Sequence, residues 1–280
     1  MQIGIMDGHI SRQTLAETLD AVANYGIQCM QFGLGRVTLP ELPEQLDTEP
    51  LDDIRKAFER RDIAISALSG TYNMIHPDPQ QRADGTRRLR VLAAACEHIG
   101  TSVITLCTGS RDPDSMWRRH PENDSPEAWT DLLATMREAV QIAEEHNVTL
   151  AFEPEVANVV DSAQKARRLL DTLGSPHLKV CMDGANIFHT GELARMDAIL
   201  DEAFALLGQD IAIAHAKDLD RDGQAGYLAA GKGRLNYDRY LSLLNATAPD
   251  VAIILHGLRE AEVSECVTFL SEKMAAIRSE

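Results

Sequence analysis

Eight short apolar segments, separated by longer stretches with helical spacing, constrain the fold of this chain more than any other feature. The segments are IGIM (3–6), CMQFG (29–33), IAISAL (63–68), SVITLC (102–107), VTLAFE (148–153), LKVCMD (178–183), IAIAHA (211–216) and VAIILH (251–256). Most are unbroken apolar runs, which are typical of strands whose sheet is covered on both faces. Because strands that alternate with helices form parallel sheets, the pattern predicts an α/β protein.

The stretches between these segments carry helix signals. Leu15, Leu19 and Val22 share one helical face, and Ser11 is the predicted N-cap of that helix. The pair Ser125–Pro126 predicts a second N-cap, with proline at the first helical position. The last helix is predicted from one apolar stripe, formed by Val263, Val267, Leu270 and Met274.

The number of strand–helix units decides between two α/β architectures. Eight units in 280 residues match a (β/α)8 barrel in count and length. The alternative, an open doubly wound sheet, usually has a G-x-G-x-x-G turn after its first strand, but the turn here reads MDGHIS (6–11). Since no linker or composition break interrupts the pattern, we predict a single (β/α)8 TIM barrel, forming one domain over residues 1–280.

Composition and charge exclude several classes of protein. The hydrophobic content of 44% is too high for a disordered chain, and the net charge of −16 disfavours binding to nucleic acid. No segment approaches the length of a membrane span, and the N-terminus lacks the features of a secretion signal. The five cysteines form no C-x-x-C pair, which favours reduced thiols. We therefore expect a cytoplasmic protein with neither nucleic-acid nor membrane partners.

Titratable residues end four successive predicted strands. They are Glu153, Asp183, His215 and His256, and all except His215 close their segments directly. Neighbouring strands lie about 4.8 Å apart, and barrel active sites lie at the C-terminal strand ends, so the four side chains can converge. Two carboxylates and two imidazoles suit one divalent ion, such as Mn, Zn, Mg, Fe or Co.

Each of these residues also has an ordinary structural explanation. A lone histidine at a strand end is commonly held by hydrogen bonds, and a lone aspartate often caps a helix. Four such residues in register argue against that explanation for the whole set. Further candidates for substrate binding are His76, Glu155, Asn186, His189, Lys217, Lys232 and Arg234, of which the last three suit a phosphate or carboxylate. Trp117, after the fourth strand, either packs or covers a sugar ring.

Four motifs connect the chain with a known group of barrels. They are LAFEPE (150–155), VCMDGANIFHTGE (180–192), HAKD (215–218) and GKGRLNYDRYLSLL (231–244). In their order and spacing the chain resembles the xylose-isomerase-like superfamily. That superfamily includes sugar and sugar-phosphate isomerases and epimerases, inosose dehydratases, hydroxypyruvate isomerases and the AP endonuclease IV group.

The resemblance implies metal ligands at Glu153, Asp183 and His215. The chain departs from the superfamily at two positions, because the usual glutamate of the eighth strand is His256 here and a frequent histidine is Asn186. The first departure puts a mechanism with two glutamates in doubt. Glu153 would then serve as both ligand and base, with His256 or Glu260 acting from the opposite side.

Three functions are compatible with this resemblance. The leading expectation is a metal-dependent isomerase or epimerase that acts on a small sugar, sugar phosphate or keto-polyol by proton transfer next to a carbonyl. A dehydratase of a keto-polyol is the first alternative, since it begins with the same proton abstraction. A non-catalytic or nuclease-like barrel is the second, although the acidic charge disfavours a nuclease. Homo-oligomers are common in the superfamily, so the resemblance makes a homo-oligomer one expectation for this chain.

Overall fold

Eight parallel strands of the described chain close into a barrel. The computed structural model describes residues 1–37 and 39–277, so Thr38 and the last three residues of the predicted domain lie outside the described residues. The strands are β1 (Gln2–Met6), β2 (Cys29–Phe32), β3 (Ala64–Ser69), β4 (Val103–Cys107), β5 (Thr149–Glu153), β6 (Leu178–Asp183), β7 (Ile211–Asp218), β8 (Leu228–Ala229) and β9 (Ala252–Leu255).

The pairing of the strands proves the closure. Strands β1 to β7 pair in chain order, β7 also pairs with β9, and β9 pairs with β1, all in parallel. Strand β8 is a two-residue addition that pairs antiparallel with the end of β7. The predicted (β/α)8 TIM barrel is therefore confirmed.

Eight α-helices of the described residues surround the barrel. They are α1 (Leu15–Asn24), α2 (Thr48–Glu59), α3 (Pro79–Ile99), α4 (Pro126–His146), α5 (Ala163–Leu173), α6 (Met196–Leu207), α7 (Tyr237–Thr247) and α8 (Val263–Ile277). The N-cap predicted at Ser125 is confirmed, because its hydroxyl accepts a hydrogen bond from the amide of Ala128 at 3.1 Å.

The N-cap predicted at Ser11 is wrong. Helix α1 is capped by Thr14, whose hydroxyl accepts the amide of Glu17 at 3.2 Å. The Glu17 carboxylate in turn accepts the amide of Thr14 at 3.1 Å, which completes a capping box. Thr14 is the better cap because a glutamate, Glu17, lies three residues after it and can return the hydrogen bond. The residue three positions after Ser11 is Thr14, which has no carboxylate.

The interior of the barrel contains a layer of small apolar side chains, which we call the lower layer. Its buried members come from six strands and are Cys29, Ala67, Ala151, Cys181, Ile213 and Ile254. Side chains from six strands can meet in one cluster only on the barrel axis. The layer is tight, since a Cβ atom at Gly4 would lie 2.6 Å from both Cys29 Sγ and Ile254 Cδ1.

Candidate active site

A polar layer follows the lower layer, two residues further along each strand. Successive side chains of a strand point to opposite faces, so residues two apart point to the same side. The residues in this position, which we call the upper layer, are Gln31, Ser69, Glu153, Asp183, His215 and His256. Thr105 of β4 joins them, two residues after Val103, which packs against the lower layer. Strand alternation therefore turns all the predicted metal ligands inward.

A cavity of about 450 Å³ lies above the upper layer, at the C-terminal ends of the strands. Six of the residues predicted for the site line it, namely Glu153, Glu155, Asn186, His215, Lys217 and His256. Asp183 lies beneath them and is fully buried. Trp117 also lines the cavity while remaining 50% exposed, so it stands at the opening.

The predicted ligand atoms are grouped around His215. His215 Nδ1 lies 3.6 Å from Asp183 Oδ2 and 3.7 Å from Glu153 Oε1. Asp183, His215 and His256 also offer ligand atoms that all lie within 4.8 Å of one another. Ligand atoms held tetrahedrally at zinc-like bond lengths are separated by about 3.4 Å, so the first two distances are close to those of a metal site.

Unsatisfied polar atoms in this group fit a cation. Among residues 1–37 and 39–277, Asp183 Oδ2, His215 Nδ1 and His256 Nδ1 are buried without a hydrogen-bond partner. Asp183 Oδ2 does lie 3.1 Å from Lys217 Nζ, an ion pair that lacks hydrogen-bond geometry. Buried polar groups are normally hydrogen-bonded. Two imidazole nitrogens and a carboxylate oxygen without partners are the donor atoms that a divalent ion of borderline hardness prefers.

The charges around the predicted ligands Asp183, His215 and His256 differ. Burial alone would raise the pKa of Asp183, but Lys217 and His215 outweigh it and hold that pKa well below its usual range. Burial opposes the charged form of His215, but Cys181, Glu153 and Asp183 together raise its pKa well above the usual value. Burial, with help from Lys217 and His215, lowers the pKa of His256 to about 2. His256 is therefore a neutral imidazole with a lone pair to offer.

Asn186 orients Glu153 at the edge of the cavity. Its amide nitrogen donates a hydrogen bond to Glu153 Oε1, and its amide oxygen accepts the amide of Gly226 at 2.9 Å. Glu155 lies deeper, with its carboxylate accepting the amide of Ala157 at 2.9 Å and Asn158 Nδ2 at 3.0 Å. Burial raises the pKa of Glu155 to about 7.

The motif HAKD ends β7 with three different functions for its polar residues. His215 joins the upper layer and Lys217 lines the cavity. Asp218 is buried and holds the following loop, because Oδ1 accepts the amides of Leu219 at 2.8 Å and Leu235 at 2.9 Å. Its other oxygen accepts the amide of Gly231 at 3.1 Å. This aspartate thus closes the loop over residues 219–235.

The two other predicted histidines lie outside the cavity lining. His76 is buried, where Nε2 lies 3.1 Å from the Pro113 carbonyl and Nδ1 accepts the amide of Asp78 at 3.0 Å. His189 Nε2 lies 3.1 Å from the Asp161 carbonyl. Both rings therefore hold loop backbone, and their substrate-binding role stays a prediction that the cavity geometry does not favour.

Three charged candidates also point elsewhere. Lys232 is exposed and pairs with Glu265 on α8, and Arg234 is exposed on the loop after β8. Glu260 forms a two-point ion pair with Arg12, at 2.6 and 2.9 Å. The loop closed by Asp218 takes the first two away from the cavity, so their predicted contact with substrate lacks geometric support.

Sequence reasoning missed several cavity residues. Asp7 and Glu41 line the cavity from loops, where they accept the amides of Gly33 at 2.9 Å and Gly35 at 3.1 Å. Gln31 was missed because it lies inside a predicted strand and is not titratable. The alternation from Cys29 was the signal that could have found it.

Comparisons with known proteins agree with the fold. The sequence model of the xylose isomerase-like TIM barrel family matches residues 19–271. No curated protein sequence matches the chain. Within the described ranges, no helix combines the length and apolar character that crossing a membrane requires.

Solved structures with a similar fold include three with informative names. A D-tagatose 3-epimerase-like protein has a TM-score of 0.78 at 13% identity, covering 100% of this chain and 99% of that one. The IOLI protein with a bound zinc atom has a TM-score of 0.72 at 17% identity, covering 99% and 98%. The probable 3-DHS dehydratase AsbF of Bacillus anthracis has a TM-score of 0.75 at 14% identity, covering 97% and 99%.

Proposed function

Because the chain belongs to the xylose isomerase-like TIM barrel family, we propose that it is a divalent-metal-dependent isomerase or epimerase of a small carbohydrate. One observation carries the proposal. Three buried donor atoms without hydrogen-bond partners, counted over residues 1–37 and 39–277, converge beneath a cavity that a carboxylate also lines. The zinc atom in the IOLI structure and the epimerase-like neighbour are consistent with it.

The residues that would hold the ion are Asp183, His215 and His256, with Glu153 as the fourth ligand. A divalent ion bound there would supply Lewis-acid stabilisation of the negative charge that develops when a proton leaves the carbon next to a carbonyl. His256 takes part as a neutral donor, because its pKa is lowered to about 2. We therefore favour a ligand role for His256 over a role in proton transfer.

Glu153 is the residue that would move the proton. It lines the cavity with a side chain that is only 12% exposed, so its carboxylate is shielded from bulk water. The hydrogen bond from Asn186 fixes one carboxylate oxygen and leaves the other available to a substrate C–H. A base held in this way can take a proton and return it to the neighbouring carbon, whereas epimerisation also requires a proton donor on the opposite face of the substrate.

The charges of the cavity narrow the substrate class. Its described lining includes the carboxyl groups of Asp7, Glu41, Glu153 and Glu155 but, among lysine and arginine side chains, only that of Lys217. Lys217 is itself paired with Asp183. A phosphate group would meet repulsion there, so we favour a neutral sugar or keto-polyol over a sugar phosphate.

A dehydratase is the second candidate, and Glu155 favours it. Loss of water next to a carbonyl requires a base for the carbon-bound proton and an acid for the departing hydroxyl group. Glu155 is a second carboxyl group that lines the same cavity, and burial raises its pKa to about 7. The similarity to AsbF is consistent with this chemistry.

The proposal is tested by incubating the metal-loaded protein with a panel of neutral ketoses and keto-polyols in D₂O. We expect deuterium to enter at the carbon next to the carbonyl. Glu153→Gln, assayed at a metal concentration that saturates the variant, should reduce this exchange by about 100-fold or more, the range of a lost general base. Glu145→Gln is the matched control, because Glu145 is exposed on α4 and pairs with Arg90.

The same assay separates the two candidates. Formation of a ketone isomer or epimer supports the first, and an absorbing diketone formed with loss of water supports the second. In the second case Glu155→Gln should abolish water loss but retain deuterium exchange. Absence of exchange across the panel in a protein that contains its metal would contradict both.

A further inference from the structure

We propose that Gln31 is a positioning residue that fixes the orientation and tautomer of His215, so that Nδ1 presents its lone pair to the metal site. The inference rests on the proposed function for the identity of the site, but its structural basis is a separate set of hydrogen bonds. His215 Nε2 lies 2.9 Å from Gln31 Oε1, on the side of the ring opposite to Asp183 and Glu153.

Gln31 belongs to a chain of hydrogen bonds that connects four strands. Its amide nitrogen donates to Thr105 Oγ1 at 3.0 Å and to Ser69 Oγ at 3.3 Å. The Thr105 hydroxyl donates to the carbonyl oxygen of Leu68 at 3.4 Å. The chain therefore runs from a backbone carbonyl of β3 through β4 and β2 to the histidine on β7.

The backbone carbonyl sets the direction of every bond in this chain. A carbonyl oxygen can only accept, so the Thr105 hydroxyl uses its single proton on Leu68. Thr105 Oγ1 must then accept from the NH₂ group of Gln31, which turns Gln31 Oε1 toward His215. An amide oxygen also can only accept, so His215 Nε2 carries a proton. In the neutral imidazole, Nδ1 is then the unprotonated nitrogen.

Burial protects this assignment from competition by water. Gln31 and Thr105 are each 3% exposed, and His215 is 2% exposed. Hydrogen bonds in such an environment are stronger than in water, and reversing one would leave a buried group unpaired. Cys181 Sγ also lies 3.4 Å from His215 Nε2, but a thiol is a weak hydrogen-bonding group and leaves Gln31 as the main partner.

The arrangement has the form expected around a metal-binding histidine. Such histidines usually donate their second N–H to a carboxylate or carbonyl group, and loss of that partner typically weakens metal binding about 10- to 100-fold. An amide in this position adds no further negative charge next to Asp183 and Glu153.

The first test measures the affinity of Zn²⁺ alone by competition with a chelator. We expect Gln31→Leu to bind about 10- to 100-fold more weakly, because it keeps the volume but removes the acceptor. Gln31→Glu retains an acceptor and should stay within a few-fold of the wild type. Thr105→Val removes the hydroxyl group that accepts the hydrogen bond from Gln31. Its Zn²⁺ affinity should lie between those of Gln31→Leu and Gln31→Glu. Ser66→Ala is the matched control. The Ser66 hydroxyl of β3 donates to the Met30 carbonyl at 2.9 Å and takes no part in the chain of hydrogen bonds that contains Gln31.

The second test reads the tautomer directly. In ¹⁵N-labelled, Zn²⁺-loaded protein, His215 should have a slowly exchanging proton on Nε2 and none on Nδ1. Gln31→Leu should lose the slow exchange, and Gln31→Glu should restore it. Equal Zn²⁺ affinity and an unchanged Nε2 proton in Gln31→Leu would overturn the inference. If that variant does not fold, Thr105→Val and Gln31→Glu decide it by the same two measurements.

Failure of the proposed function would look different. A wild type that binds no Zn²⁺ and no other divalent ion would refute the metal site. The protected Nε2 proton of the metal-free wild type, and its loss in Thr105→Val, would still test the role of Gln31.

Discussion

The two layers of the barrel interior differ in how completely their atoms are satisfied. The lower layer consists of small apolar side chains in close contact, such as Ala151 and Cys181. The upper layer, two residues further along the same strands, contains buried polar atoms that have no hydrogen-bond partner in the described ranges. Both layers are formed by the same strands, so the difference lies in the side chains that those strands carry. A protein that could fill the upper layer with apolar residues but does not has a use for the polar ones.

A second aspartate, Asp210, serves as a reference for Asp183. Asp210 precedes β7 at the opposite end of the barrel, where it pairs with Arg167 at 2.7 Å and Lys179 at 2.6 Å. Burial opposes its ionisation, but these two cations hold its pKa below the usual value. Asp183 and Asp210 are thus both stabilised as anions. Only Asp183 keeps a buried oxygen without a hydrogen-bond partner among the described residues.

The largest expected effect comes from Asp183→Ala. Loss of a direct ligand should weaken Zn²⁺ or Mn²⁺ binding more than about 100-fold, beyond the loss typical of an indirect partner. The fold should persist, because the buried charge of Lys217 is still balanced by the nearby carboxylates of Glu153 and Glu155 when Asp183 is removed. Chelator competition and circular dichroism measure the two quantities. Asp210→Ala is the matched control, and equal metal binding by both variants would place the ion elsewhere.

The next effect concerns the choice of metal. His256→Glu replaces a nitrogen ligand by an oxygen ligand, so we expect affinity to shift from Zn²⁺ and Co²⁺ toward Mn²⁺ and Mg²⁺. The metal-free variant should be less stable than the wild type, because a further carboxylate joins Asp183 and Glu153.

His256→Ala provides the contrast to that substitution. It removes a direct ligand without adding a charge, so it should weaken Zn²⁺ binding by more than the roughly 10- to 100-fold typical of an indirect partner, but by less than Asp183→Ala does. Competition titrations with the four metals would measure both variants. Wild-type affinity in His256→Ala would show that the ring is not a ligand.

A smaller effect is expected in the lower layer. Gly4→Ala introduces a Cβ atom 2.6 Å from Cys29 Sγ and 2.9 Å from the Cys29 carbonyl oxygen, and backbone cannot move aside easily. Overpacking of this kind costs about 1–3 kcal/mol in the free energy of unfolding. Denaturant titration measures the loss. Zn²⁺ affinity should stay near that of the wild type, and a large loss of binding would mean that the two layers are mechanically coupled.

The smallest effect is the pH dependence contributed by Asp210. The pKa of Asp210 is lower in the folded state than in the unfolded state. Its contribution to the free energy of unfolding is therefore present above the unfolded-state pKa of 3.8 and is lost as the pH falls through the folded-state pKa. Because the side chain is partly exposed, the difference between wild type and Asp210→Asn should be only about 1 kcal/mol at pH 7. Urea titrations between pH 3 and pH 7 would measure it, and a difference that grows toward low pH would contradict the assignment.

The barrel could be predicted from the sequence because each of its strands is marked by two independent patterns. Each is a short apolar run, and each is separated from the next by a helical period. The eight predicted segments match the observed barrel strands to within two residues at either end. Strand β8 could not be foreseen, since it has only two residues and pairs with the end of β7 through the turn of an irregular loop.

The site was less predictable than the fold. Strand ends identify Glu153 and Asp183, because parallel strands of a barrel must converge there. Loop residues such as Asp7 and Glu41 enter the cavity through tertiary packing that no local period encodes. Lys232 lies in a motif as prominent as that of Lys217, yet the path of the loop carries it to an ion pair on the outer surface.

The fastening of that loop by Asp218 has a consequence for protein engineering. Its three hydrogen bonds come from the backbone amides of residues 219, 231 and 235, so they place no demand on side-chain identity other than the exclusion of proline. Gly233 is fixed, because a Cβ atom there would lie 2.4 Å from Asp218 Oδ1. Within the segment 220–225, Asp222 Oδ2 accepts the amide of Leu193 at 3.0 Å and the backbone of Gly223 has a φ of 77°. The exchangeable part of the segment is therefore the pair of Gln224 and the cavity-lining Ala225. Libraries built on it would explore new substrates while the histidine that precedes the loop stays in position.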